Sequence, residues 1–87
     1  MEHVIVERAF AEPVDLEALY KTAEAGRACY QLRRVTLLRS FLSRDRLRMI
    51  CEYLAPDAES VREANERAGM PFERIWTASV LKDDASV

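Results

Sequence analysis

Glycine is scarce in this sequence, which has Gly26 and Gly69 as its two examples among 87 residues. Both are isolated, and neither opens a helix after a strand-like run, so the glycine-rich loop that cradles phosphate groups is absent. Nucleotide binding of the P-loop or dinucleotide kind is therefore excluded.

Histidine is scarcer still, since His3 is the single histidine of the chain. A transition-metal site draws on several histidine, cysteine or carboxylate ligands at short spacing. We assign no metal ligand within one chain, and a site that uses His3 from two copies is the alternative.

Long apolar runs are also missing. The apolar run at 4–6 is far too short for a signal peptide or a membrane span, and no basic leader precedes it. We therefore expect a cytoplasmic protein without membrane association, in which Cys29 and Cys51 remain thiols. Neither cysteine has a nucleophile elbow or an oxyanion-forming glycine motif beside it, so no catalytic residue is assigned.

Charge is unevenly distributed, although the net charge is only −2. The segment 33–48 holds six arginines against the single acid Asp45, a local charge of +5, while the rest of the chain carries −7. A segment of this charge either protects an edge strand from aggregation or binds an acidic partner protein. Nucleic acid is not an expected partner, because the third predicted strand offers Tyr53 alone for base stacking.

Strand-like runs and helical patterns alternate along the chain. Asp15 and Asp57 are N-cap candidates, and Gly69 followed by Pro71 ends the second helical pattern. The predicted strands are 3–10, 35–42, 47–54 and 74–81, and the predicted helices are 16–31 and 58–68.

The resulting order is β-α-β-β-α-β, in which a hairpin at 43–46 joins two right-handed strand-helix-strand halves. This order predicts a single domain over residues 1–87, with a polar tail at 82–87. We expect an α+β, ferredoxin-like sandwich that has a four-stranded antiparallel sheet and two helices on one face.

Both faces of the predicted sheet are apolar. Strand two places Val35, Leu37 and Phe41 on one side and Leu38 and Leu42 on the other. A sheet with helices on one face and water on the other would alternate apolar with polar residues. The second face needs a cover, and a second copy of the chain supplies it. We therefore expect a homodimer of the dimeric α/β barrel type.

Four segments form a pattern that spans almost the whole chain. They are Val-Glu-Arg-Ala-Phe at 6–10, Val-Thr-Leu-Leu-Arg-Ser-Phe-Leu-Ser at 35–43, Cys-Glu-Tyr-Leu-Ala-Pro at 51–56 and Glu-Ser-Val-Arg-Glu-Ala-Asn-Glu-Arg-Ala-Gly-Met-Pro at 59–71. Together they resemble a family of small bacterial proteins described as nickel-binding or as a domain of unknown function. The resemblance implies a ferredoxin-like fold and a dimer.

The resemblance also implies nickel ligands, which are carried over residue by residue. The family tends to have histidines at the positions of Arg33 and Arg39, and a glycine at the position of Arg34. Arginine cannot ligate nickel, because it is permanently protonated and has no lone pair to offer. Glu7 and Cys51 match the family, but a carboxylate and a thiol on different strands make an incomplete site. We therefore expect no cofactor, and an anion in place of nickel.

Glu7 and Arg8 place adjacent charges in a central apolar strand, so one of them faces the helices or the partner copy. We expect Arg39 to pair with Glu7 inside a cavity. That pair either binds a small anionic or aromatic ligand or fixes the dimer register as a structural salt bridge. The predicted ligand-binding residues are Glu7, Arg39, Cys51, Tyr53 and Trp76, with Phe41 on the cavity wall.

Three functions stay open at this point. The first, which we favour, is a non-catalytic dimeric protein that binds a small ligand or a metal ion. The second, by fold analogy, is a small cofactor-free enzyme of the monooxygenase or isomerase type, with Glu7, His3 and Tyr53 as titratable candidates. The third is an interaction module that uses the arginine-rich hairpin.

Overall fold

The computed structural model describes residues 1–82, so most of the predicted polar tail lies outside the described residues. The strands are β1 (Glu2–Ala9), β2 (Thr36–Leu42), β3 (Arg48–Ala55) and β4 (Arg74–Ala78), and the helices are α1 (Leu16–Ala25), α2 (Arg27–Leu32) and α3 (Ala58–Ala68). The strands form one antiparallel sheet in the order β2-β3-β1-β4. The predicted α+β class and the antiparallel four-stranded sheet are thus confirmed.

The helix predicted at 16–31 is wrong in one respect, because Gly26 divides it into α1 and α2. The amide of Gly26 donates to the carbonyl oxygens of Thr22 and Ala23, which closes α1 with a tightened last turn. Gly26 is buried against Ala68 of α3, and a Cβ atom built at Gly26 would lie well inside van der Waals contact with the Ala68 methyl group. The close approach of the two helical segments therefore requires glycine at this place.

Replacing Gly26 by alanine is expected to lower the free energy of unfolding by about 1–3 kcal/mol, because the added methyl overpacks the contact with Ala68. Urea denaturation measures the change. The double variant Gly26→Ala/Ala68→Gly removes the opposing methyl and should recover part of the loss. Strictly additive losses in the two single variants and the double variant would contradict this explanation.

Helix α3 begins and ends as its sequence predicts. The side chain of Asp57 accepts from the Ser60 amide at 2.7 Å, and Gly69 has a φ of 71°, the left-handed conformation of a C′ glycine. Strand β4 is shorter than predicted, since it ends at Ala78 and the residues 79–81 form no strand. None of the helices within residues 1–82 is both long and apolar enough to cross a bilayer.

A bulge in β2 changes which of its side chains share a face. The register moves between Leu37 and Arg39, so that Leu37 pairs with Tyr53 and Phe41 pairs with Ile50. The expectation that Leu37 and Phe41 lie on one side is therefore wrong.

The hydrophobic core lies between one face of the sheet and the helices. Buried core residues on that side include Val4, Val6, Met49, Cys51 and Val61. The opposite face, which we call the open face, carries exposed Phe41, Ile50 and Trp76. The structure thus agrees with the expectation of apolar residues on both faces of the sheet.

Candidate ligand-binding site

Arg8 is the charged residue of β1 that faces the helices. Strand alternation puts it on the same side as Val4 and Val6, and its exposed fraction is 0%. Its Nη1 donates to the carbonyl oxygen of Pro71 at 2.7 Å, and its Nη2 donates to the Tyr53 hydroxyl and to Asn65 Oδ1, both at 2.9 Å. The guanidinium therefore joins β1, β3, α3 and the segment after α3.

All three acceptors of Arg8 are neutral. Within residues 1–82 no carboxylate forms a salt bridge with Arg8, and its buried Nε has no hydrogen-bond partner. The pKa of Arg8 stays above its ordinary value although burial acts to lower it, so the group keeps its proton. A buried charge without a counter-charge costs several kcal/mol, because the lost hydration is not replaced by ion pairing.

Two tyrosines complete the surroundings of Arg8. The rings of Tyr30 and Tyr53 stack with centroids 5.7 Å apart and planes inclined by 11°. The Tyr30 hydroxyl donates to Asn65 Oδ1 at 2.8 Å, and Asn65 Nδ2 donates to the Val61 carbonyl oxygen at 2.8 Å. Burial raises the pKa of both tyrosines, that of Tyr53 well above its usual range. Both hydroxyls are therefore neutral near pH 7 and offer Arg8 no negative charge.

A cavity of about 850 Å³ opens beside this network, between the sheet and α1 and α2. Its inner wall includes Arg8, Tyr53 and Cys51, whose Sγ lies 3.2 Å from the Ser40 hydroxyl. The volume falls within the range of about 300–1,000 Å³ found for small-molecule sites. The arrangement presents one buried cation to a largely apolar space.

Cys51 and Tyr53, both predicted from the sequence, line this cavity, but the other predicted site residues do not. Glu7, Arg39 and Trp76 lie on the open face, across the sheet from Arg8. The predicted five-residue site is therefore divided between two faces. The proposed catalytic candidates are separated in the same way, because His3 and Glu7 share the open face while Tyr53 faces the helices.

The predicted ion pair between Glu7 and Arg39 is wrong. Glu7 Oε2 accepts from the Trp76 indole Nε1 at 2.7 Å, and its other oxygen lies 3.9 Å from Arg48. Arg39 Nε instead donates to Glu52 Oε1 at 2.7 Å, because the bulge in β2 places Arg39 opposite Glu52. The open face therefore has its own charge pairs.

Glu52 sits between two basic groups on the open face. Arg39 donates to one carboxylate oxygen, and His3 Nδ1 lies 3.0 Å from the other. The hydrogen bond from Arg39, followed by that to His3, holds the pKa of Glu52 below its ordinary value. A carboxylate whose pKa is lower in the folded than in the unfolded state stabilises the folded protein at pH values above its unfolded-state pKa, about 4.3. This stabilisation is lost as the pH falls through the lower, folded-state pKa.

Replacing Arg39 by methionine is expected to raise the pKa of Glu52 toward its ordinary value, because the strongest donor to the carboxylate is removed. Carbon-detected NMR titration of the Glu52 carboxyl group measures this. The difference in unfolding free energy between parent and variant should be present near pH 6 and shrink toward pH 3. An unchanged Glu52 titration in the variant is the contrary result.

Tyr30 and Asn65 are members of the site that sequence reasoning did not select. In the sequence both recur with apolar residues at helical spacing, a pattern that indicates packing residues. A polar amide on a buried stripe was the available signal, because buried polar groups require partners.

Several arginines of the segment 33–48 already form ion pairs with acidic residues of the same chain. Arg33 lies 3.3 Å from Glu63, and Arg48 lies 3.5 Å from Glu73. With Arg39 bound to Glu52, three of its six arginines contact acids of the same chain. Much of the local positive charge is therefore compensated within the domain.

The residues 1–82 bring together no group of three or more histidine, cysteine or carboxylate side chains that could hold a metal ion. His3 and Glu52 lie in contact, but both oxygens of that carboxylate already contact a basic group. The donor set of a single chain therefore does not fit a resident nickel ion.

Comparisons with known proteins agree with this fold. The crystal structure of SCO4226 from Streptomyces coelicolor A3(2) superimposes with a TM-score of 0.79 at 19% identity, covering 92% of this chain and 99% of that one. No curated protein matches the chain. The family model described as "Nickel responsive protein SCO4226-like" matches residues 5–77. The chain therefore belongs to the SCO4226-like nickel-responsive protein family.

Proposed function

We propose that this protein is a non-catalytic, dimeric binding protein that holds a small anionic ligand in the cavity beside Arg8. The observation that carries the proposal is a fully buried guanidinium that, among residues 1–82, has no carboxylate partner and no acceptor for its Nε–H. An anion in the cavity would supply the missing negative charge and could accept a hydrogen bond from an N–H group of Arg8 that has no acceptor among residues 1–82. The small anionic ligand predicted from the sequence thus has Arg8, and not Arg39, as its cationic partner.

The chemistry around the cavity favours binding over catalysis. The two tyrosines stay protonated, since burial raises the pKa of each. His3 and Glu7, the other titratable candidates, lie across the sheet. The enzyme alternative requires a general base within reach of a bound molecule. Within residues 1–82 the carboxylate that lines the cavity is that of Glu24, which is exposed and paired with Arg27.

The dimer of the ferredoxin-like, α/β barrel type is part of the same proposal. The open face exposes Phe41, Ile50 and Trp76, while its acids Glu7 and Glu52 already have partners within the chain. Because these acidic side chains already have partners, covering the open face costs less desolvation free energy than it would for unpaired charges. A second copy that packs its own open face there would bury the apolar residues of both.

The matched family is described as nickel responsive, but residues 1–82 of this chain contain no group of three or more side chains that could hold a metal ion. A single copy offers His3 and Glu52 as its closest donors, which is too few for a resident ion. We therefore place no metal in the proposed site. We also propose a cytoplasmic location, in which Cys29 and Cys51 stay as the free thiols that the structure contains.

Native mass spectrometry of protein purified without an affinity tag tests the proposal. The expected spectrum is a dimer that carries a small organic molecule, which is released and identified on denaturation. Dialysed protein should then gain thermal stability from a panel of small anions at constant ionic strength. A ligand-free species that no anion stabilises would contradict the proposal.

A further inference from the structure

The cavity beside Arg8 defines the class of its ligand more narrowly. Resting on the proposed function, we infer that the ligand is an organic monocarboxylate with an apolar body, and that its carboxylate lies against the Arg8 guanidinium. Three properties of the cavity carry this inference: the number of buried charges, the nature of the walls and the position of the polar groups.

The buried charge of the cavity is a single positive one. Arg8 is fully buried, whereas Arg27, the other basic residue of the lining, is exposed and already paired with Glu24. A monoanion therefore neutralises the inner end of the cavity. A dianion such as a phosphate ester would leave a negative charge away from water, which is costly at a buried site.

The hydrogen-bonding capacity of Arg8 matches one carboxylate. A guanidinium has five N–H groups, and three of them donate to Pro71, Tyr53 and Asn65. Within residues 1–82 two N–H groups are left without an acceptor, the second Nη1–H and the Nε–H, and the Nε atom makes no hydrogen bond at all. Because Arg8 is fully buried, a carboxylate oxygen reaches the Nε–H only when the side chains between it and the cavity shift, while the existing three bonds remain.

The walls of the cavity are apolar and leave much space beyond the charge. Buried Leu19, Val35, Met49 and Met70 line it, and Tyr30 contributes an aromatic ring. An inorganic anion would occupy only a small part of about 850 Å³, since one water molecule takes about 30 Å³ of liquid. An alkyl or aromatic body that contacts these side chains would fill the remaining volume and gain from burial.

The polar groups of the lining are concentrated at its exposed rim. Gln31 and Thr36 are exposed there, together with the Glu24–Arg27 ion pair. A ligand that enters carboxylate first therefore places its body against the apolar walls and ends among solvated groups.

Isothermal titration calorimetry with matched probes tests the inference. Octanoate and 4-phenylbutyrate are compared with octanamide and 4-phenylbutyramide, which have the same bodies without the charge, and with phosphate and phenyl phosphate. We expect each carboxylate to bind at least about tenfold more tightly than its amide, a factor of ten corresponding to about 1.4 kcal/mol. Arg8→Met should abolish that preference, while Arg44→Met, an exposed arginine of the hairpin, should keep it.

The outcomes separate this inference from the proposed function. Arg8-dependent binding of phosphate or phenyl phosphate, tighter than that of either carboxylate, overturns the monocarboxylate and leaves anion binding standing. Equal affinity for acid and amide, with no Arg8-dependent binding of any anion, overturns both. If Arg8→Met does not fold, Leu19→Trp serves instead, since the larger side chain fills part of the cavity while the Arg8 guanidinium is kept. If Leu19→Trp binds the carboxylate with unchanged affinity, the ligand does not lie in this cavity.

Discussion

Arg8→Met is expected to abolish stabilisation of the protein by a bound carboxylate. A ligand at one hundred times its Kd adds about 2.7 kcal/mol to the free energy of unfolding. For a domain of this size that corresponds to a rise in Tm of about 10 °C or more. The variant should show no rise, because methionine fills a similar space without a charge or an N–H donor. Thermal denaturation with and without 4-phenylbutyrate measures the difference.

The control for this experiment is Arg44→Met, which also removes one positive charge but lies in the exposed turn between β2 and β3. It should keep the full ligand-dependent rise, which excludes a general effect of net charge. A rise in Arg8→Met equal to that of the parent protein would show that the guanidinium is not the anion site. Circular dichroism of each variant establishes that it is folded before the comparison is made.

Phe41→Glu is expected to convert the proposed dimer into a monomer at micromolar concentration. Phe41 is 61% exposed on the open face and lies opposite Ile50 of β3. A carboxylate there would have to lose its hydration when a second sheet covers it, a cost of several kcal/mol. Light scattering coupled to size-exclusion chromatography measures the molar mass of each form.

A matched control places the same charge elsewhere on the surface. Leu32 is 80% exposed at the end of α2, away from the open face, and Leu32→Glu should leave the dimer intact. A parent protein that is already monomeric, or a Phe41→Glu protein that stays dimeric, would contradict an interface on the open face. Loss of the dimer in both variants would point to an interface that includes the helices.

The strands and helix α3 could be predicted from the sequence because their signals are local. Asp57 and Gly69 bound α3 by hydrogen bonding and by backbone conformation, and neither depends on distant residues. The need for glycine at position 26 could not be predicted in this way, because the close contact there is with the Ala68 methyl group, 42 positions further along the chain. The bulge in β2 could not be predicted either, because the register of β2 depends on how this strand pairs with β3.

The candidate site could be predicted only in part. Alternation along β1 indicates that Glu7 and Arg8 face opposite sides of the sheet, but it does not say which one is buried. Arg39 was assigned to Glu7 on charge alone, and the bulge placed it opposite Glu52 instead. Arg34 has a φ of 59°, in the left-handed region that favours glycine. That conformation gives a physical reason for the glycine at this position in the family that the chain resembles.

The most direct measurement of the central proposal is the NMR signal of the Arg8 side chain during a titration. In a proton-nitrogen spectrum the Arg8 Nε–H resonance can be assigned by its absence in Arg8→Met. We predict that 4-phenylbutyrate shifts this resonance downfield along a saturable curve, because a carboxylate oxygen replaces the missing acceptor. The amide probe at the same concentration should move it far less. An Arg8 Nε–H resonance that stays in place while the carboxylate saturates the protein would show that the ligand binds elsewhere.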